Sequence, residues 1–84
     1  MLRIISQDGT TDIPYDSCIL EIELYPEGAV IAFFADNGNK GFLGVYSSTD
    51  IAKEVLKSIR IKFDDPNTVY RYFIMPEERD LLWD

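Results

Sequence analysis

The stretch Cys18-Ile19-Leu20-Glu21-Ile22-Glu23-Leu24-Tyr25-Pro26-Glu27-Gly28-Ala29-Val30-Ile31-Ala32-Phe33-Phe34-Ala35 decides the fold. Its first part alternates: Leu20, Ile22 and Leu24 point one way while Glu21, Glu23 and Tyr25 point the other, the mark of a strand with one wet face. Tyr25-Pro26-Glu27-Gly28 then forms a corner, because proline is pre-set for the first turn position and glycine is free to close the turn. The return, Ala29 to Ala35, is apolar at every position, as expected of a central strand covered on both faces. A helix accounts for one cover, and the other is left unassigned.

The pattern continues on both sides. Asp36-Asn37-Gly38-Asn39 carries a hairpin signal, and Lys40 to Tyr46 returns as a strand with Phe42, Leu43, Val45 and Tyr46. Upstream, Leu2 to Thr11 reads as a strand, an Asp8-Gly9 turn of type I′ and a second short strand ending at Pro14-Tyr15. Downstream, Ser47 or Ser48 caps the only amphipathic helix, about 48–64, with Asp50 at capping-box spacing from Ser47. Ala52, Val55, Leu56, Ile59 and Phe63 recur at three- and four-residue steps and form one buried stripe. Asp65-Pro66 ends the helix, since the residue before proline is pushed out of the α region. Thr68 to Met75 is the last strand, stopped by Pro76. The fold class is therefore α+β: a mostly antiparallel sheet of five to six strands with one helix packed on a face, in the order β-β-β-β-β-α-β. Residues 1–84 make one domain, with 76–84 expected as a loosely ordered tail that has room for a short helical turn.

Composition excludes more than it selects. The 84 residues carry 8 basic and 15 acidic side chains, a net charge of −7, one cysteine and no histidine. Without histidine there is no Ser-His-Asp triad, no Cys-His pair and no histidine-based metal site, so a non-enzymatic protein is expected. A lone cysteine makes no internal disulfide, which suits a reducing, cytoplasmic setting. No apolar run approaches the ~18 residues of a membrane span, and the opening residues lack a signal-peptide core. The acidic excess argues against general nucleic-acid binding, which draws on clustered lysine and arginine.

The opening Arg3-Ile4-Ile5-Ser6-Gln7-Asp8-Gly9-Thr10, with Asp12, Pro14-Tyr15, the later Leu43-Gly44-Val45-Tyr46-Ser47-Ser48 leading into a helix with Ala52 and Val55, and Met75-Pro76, resembles a group of short proteins encoded by phages and prophages of Gram-positive bacteria. The resemblance spans most of the chain but not Leu24 to Asn39. It implies an origin and a compartment, and it carries no activity, substrate or catalytic residue.

The charge is unevenly spread along the chain. Residues 1–52 hold two bases against eight acids, net −6, whereas 53–84 hold six against seven, net −1. Asp8, Asp12, Asp16, Glu21 and Glu23 lack the spacing of a calcium loop, and turns or solvated faces account for each, so neither metal nor cofactor is expected. Gly38, Gly41 and Gly44 lack the strand-loop-helix setting and the lysine of a phosphate loop. Lys53, Lys57 and Arg60 share one outward helix stripe and read as a solvated face. Cys18 reads as a small core residue. More telling are the aromatic residues, 13% of the chain, too many for one thin core to hide. The leading expectation is a protein-binding module that contacts its partner through a sheet face or edge: Tyr25, Phe33 and Tyr72 for apolar contact, Glu21 and Glu23 for charge steering, and Leu82 with Trp83 as a docking tail. The alternatives are a self-assembling homodimer and an acidic mimic that occupies the phosphate site of a DNA-binding protein.

Overall fold

In the computed structural model, which describes residues 2–67 and 71–81, the Pro26-Glu27 corner joins two eight-residue strands, β3 (Cys18–Tyr25) and β4 (Gly28–Ala35). Their antiparallel register runs from Tyr25↔Gly28 to Cys18↔Ala35. Only glycine fits the exit of this corner: Gly28 has φ +147°, and a Cβ there would lie 2.3 Å from the Tyr46 carbonyl oxygen. β5 (Lys40–Tyr46) adds to the other side of β4, giving a three-stranded antiparallel sheet in the order β3-β4-β5. Their hairpin is closed by the Ala35 N–H donating to Asn39 O and the Gly38 N–H donating to Ala35 O, with Gly38 at φ +88°.

The helix α1 (Thr49–Asp64) crosses one face of this sheet. Ser48 caps it, its hydroxyl accepting from the Ile51 N–H at 3.2 Å, so the working cap is one residue later than a Ser47–Asp50 box requires. Ala52, Val55 and Ile59 are buried while Leu56 and Phe63 are half-buried against the same core, and Asp65 ends the helix before Pro66. The core they enter is built from Ala29, Ile31 and Phe33 of β4 and Leu43 and Tyr46 of β5, with Leu2, Ile4 and Met75.

The strand order is the expected one, but the strands form two sheets rather than one. β1 (Arg3–Ile5) pairs antiparallel with β2 (Asp12–Pro14) and parallel with β6 (Tyr72–Ile74), in the order β2-β1-β6. A parallel neighbour from the far end of the chain is a long-range pairing that no local turn signal encodes. The Asp8-Gly9 turn also differs from a type I′ hairpin. Among the described residues only glycines have positive φ, so Asp8 does not adopt it. Instead the Asp8 carboxylate organises the loop by accepting from Ser6 Oγ, Thr10 N–H and Thr10 Oγ. These bonds hold its pKa down at about 2.

Gln7 stitches the two sheets together. Its N–H donates to Leu43 O, its side-chain oxygen accepts from the Val45 N–H at 2.9 Å, and its side-chain amide donates to Pro76 O at 2.8 Å. The Tyr46 hydroxyl donates to the same Pro76 carbonyl, and burial pushes this phenol up to about 12. The start of the expected tail is thereby fixed: Met75 is buried, and Glu78, in a single 3-10 turn at Glu78–Leu81, accepts from both Ser47 N–H and Ser47 Oγ. Those bonds hold the Glu78 carboxyl below its usual range. Thr68 to Tyr70 of the expected last strand, and Leu82 and Trp83 of the docking tail, lie outside the described residues.

Candidate binding face

Side chains of β3 and β4 alternate between two faces, so the register assigns each residue a side. Ala29, Ile31 and Phe33 face the helix. The outer face then carries three cross-strand rows: Glu23, Val30 and Val45; Glu21, Ala32 and Phe42; Ile19, Phe34 and Lys40. No element among the described residues lies across this face. Val30 and Ala32 at its centre are nevertheless buried.

A β-bulge gives the face its width. The β4–β5 register shifts between Ile31 and Ala32, so that Gly44 opposes Ile31 and Phe42 opposes Ala32, leaving Leu43 as the extra residue. Leu43 is buried in the core. Phe42 and Val45, three residues apart and on opposite sides of an ideal strand, consequently share the outer face at 50% exposure each. Ile19 is 69% and Tyr25 41% exposed on the same side. Tyr25 and Phe42, from the two strands that flank β4, are in ring contact, with Val45 exposed in the neighbouring row and Ile19 at the other end of β3.

Polar groups organise the face. Lys40 Nζ lies 2.7 Å from Glu23 Oε2, and the Tyr25 hydroxyl donates to Glu23 Oε1 at 2.7 Å. Lys40 also sits 5.0 Å from the centre of the Phe34 ring, while Tyr25 meets Phe42 edge-on with centroids 5.9 Å apart. Lys40, and then the Tyr25 hydroxyl, hold the Glu23 carboxyl below its ordinary range; the bonds to Glu23 raise Lys40 and Tyr25. Glu23 is thus internally neutralised. Glu21, exposed in the middle row, makes no hydrogen bond or salt bridge among the described residues and leaves the face with one net negative charge.

The structure brings together three of the residues singled out from sequence: Glu21, Glu23 and Tyr25. Phe33 is corrected: it is 8% exposed and faces the helix, its ring leaning over Gly41, where a Cβ would come within 2.6 Å of it. Its neighbour Phe34 takes the outer position, because the two-residue Pro26-Glu27 corner pairs odd residues of β3 with even residues of β4. Tyr72 is 48% exposed but belongs to β6 of the small sheet, opposite Arg3, and is no part of this face. Ile19, Phe42, Val45 and Lys40 were not singled out. The alternation of β3 already contained Ile19, whereas Phe42 and Val45 depend on the bulge.

Of the other acids singled out from sequence, two have local duties. Asp8 holds its loop and Asp12 pairs with Arg3 at 2.7 Å, and among the described residues no group of three acidic or thiol side chains converges as a cation site. Cys18 Sγ lies 3.6 Å from Tyr15 O, and burial, reinforced by Asp36 and Asp16, pushes its thiol pKa up, away from nucleophilic use. No helix among the described residues is long and apolar enough to cross a membrane. Set against protein-family models, curated proteins and solved structures, the chain matches none.

Proposed function

We propose that this protein is a non-enzymatic binding module whose outer sheet face contacts another protein. One observation carries the reading: Ile19 and Tyr25 of β3 and Phe42 and Val45 of β5 stay exposed on one sheet face that no other described element covers, with Tyr25 and Phe42 in ring contact. Aromatic side chains already ordered by neighbours contribute contact area at low entropic cost, and Tyr25 and Phe42 are held this way. Glu21 adds a charge that steers a partner of opposite sign, in keeping with the chain's net −7. The partner is therefore a protein with an apolar patch beside a basic group. The likeness of the opening residues to phage and prophage proteins supports a Gram-positive cytoplasm as the place to seek it.

Site-specific photo-cross-linking in such cells tests this, with the cross-linker at position 42 and, as a control, at Lys53 on the outward helix stripe. The reading expects one discrete adduct with another protein from position 42 and none from 53. Adducts joining two copies of the chain would replace it with self-assembly, and equal yields from both positions would remove the face from consideration.

A further inference from the structure

The edge of the large sheet carries an inference separate from its face. β3 is an outer strand, and none of its eight residues is buried, whereas β4 beside it has five consecutive buried residues. Among the described residues nothing pairs with its far side. An edge of this length presents a row of backbone N–H and C=O groups with no partner but water, which is a template for another strand. Natural edges of this kind are usually short, bulged or covered; β3 pairs with β4 over its whole length without a register shift.

The two sides of this edge differ in chemistry. On the inner side, a groove of about 510 Å³ lies between β3 and α1, floored by Tyr15, Cys18, Leu20 and Leu56. Its charged lining comprises Lys57 and Arg60 from the helix and Asp16 from the loop. On the outer side the nearest unpaired charge is Glu21, since Glu23 is engaged by Lys40 and Tyr25. We propose that the open edge of β3 accepts, as a fourth strand, an extended peptide segment in which apolar and basic residues alternate. Apolar side chains of the segment enter the groove over Leu20 and Leu56, and its basic side chains lie beside Glu21. The helix cations fix the register: a slip of one residue turns every basic side chain inward, against Lys57 and Arg60, and strands the apolar ones in water. Backbone pairing supplies affinity and this alternation supplies specificity.

A second copy of the chain is disfavoured at the same edge. Antiparallel self-pairing centred on the strand places Glu21 opposite Glu21 or Glu23 of the other copy, and directly opposed like charges destabilise a pair of strands. The acidic outer row therefore deters self-association while favouring a basic partner.

The probe is an eight-residue blocked peptide alternating valine and lysine, titrated into the isotopically labelled full chain and followed by amide NMR. The proposal expects shifts and slowed hydrogen exchange at alternate amides of Cys18–Tyr25. It also expects loss of binding when alternate peptide nitrogens are methylated, since strand pairing then lacks donors. Glu21→Lys, at an exposed position, should weaken binding tenfold or more, whereas Phe42→Ser leaves it unchanged, which separates this edge from the face described above. Equal binding of the methylated peptide, shifts centred away from β3, no binding at millimolar peptide, or dimerisation through β3 before peptide is added would each overturn it.

Discussion

The two faces of the β3-β4-β5 sheet are made by the same strands and differ in what secures them. On the helix side, Ile31 is wholly buried among Leu43, Val55 and Ile59. On the outer side, Phe42 and Val45 stay half exposed, and their neighbours Tyr25, Glu23 and Lys40 hold one another by hydrogen bonds and an ion pair. Exposed pairs of that kind contribute about 0–1 kcal/mol, against about 2–5 kcal/mol for a buried aliphatic side chain. The inner face therefore accounts for stability, and the outer face carries apolar area that folding does not use. Apolar area kept in water by an 84-residue chain is better explained by what it meets than by what it holds together.

Substitutions separate the faces, and the largest effect belongs inside. Ile31→Ala should cost about 3–4 kcal/mol in urea unfolding, a large share of the ~5–15 kcal/mol typical of a small domain. A loss near that of an exposed site would break the distinction. Gly28→Ala comes next, at about 2–3 kcal/mol, because the new Cβ meets the Tyr46 carbonyl on a backbone conformation that L side chains rarely adopt. Gln7→Ala should cost about 1–2 kcal/mol, since it leaves the Val45 N–H without its acceptor at the seam between the sheets. Thermal melts give the same ranking independently.

The smallest effect is a pH dependence. Asp8 has a folded pKa of about 2 against an ordinary 3.8, so folding favours its ionised form. That contribution is complete above the ordinary value and is lost as pH falls from about 4 toward 2. Carboxyl NMR of the folded protein should show Asp8 titrating near 2, and Asp8→Asn should flatten the stability profile within that window. A midpoint near 4 would mean that the Ser6 and Thr10 bonds do not form in solution.

Much of this was legible in the chain because it is local. The alternation of Cys18–Tyr25, the Pro26-Glu27-Gly28 corner, the Asn37-Gly38 hairpin and the 48–64 helix are each encoded within a few residues, and each appears where expected. The second apolar side of Ala29 to Ala35 was legible too, but as a face to be covered, whereas no described element covers it. Phe33 was assigned to the wrong side although its parity follows from the corner: counting across Pro26-Glu27 pairs Glu21 with Ala32 and sends Phe33 inward. Other features were beyond local reading. The bulge at Leu43 sits where its carbonyl accepts from the Gln7 N–H, more than thirty residues earlier, and the parallel β1–β6 pairing joins opposite ends of the chain.

The most direct test of the outer face compares Phe42→Ser with Ile61→Ser, which removes a similarly exposed apolar side chain from the helix. Both variants should unfold within about 1 kcal/mol of the parent, as surface substitutions do. The measurement is the amount of cross-linked or co-purified partner protein recovered with each. Loss of the partner from Phe42→Ser and retention by Ile61→Ser is the predicted result; retention by both, or loss from both, would contradict a binding role for the outer face.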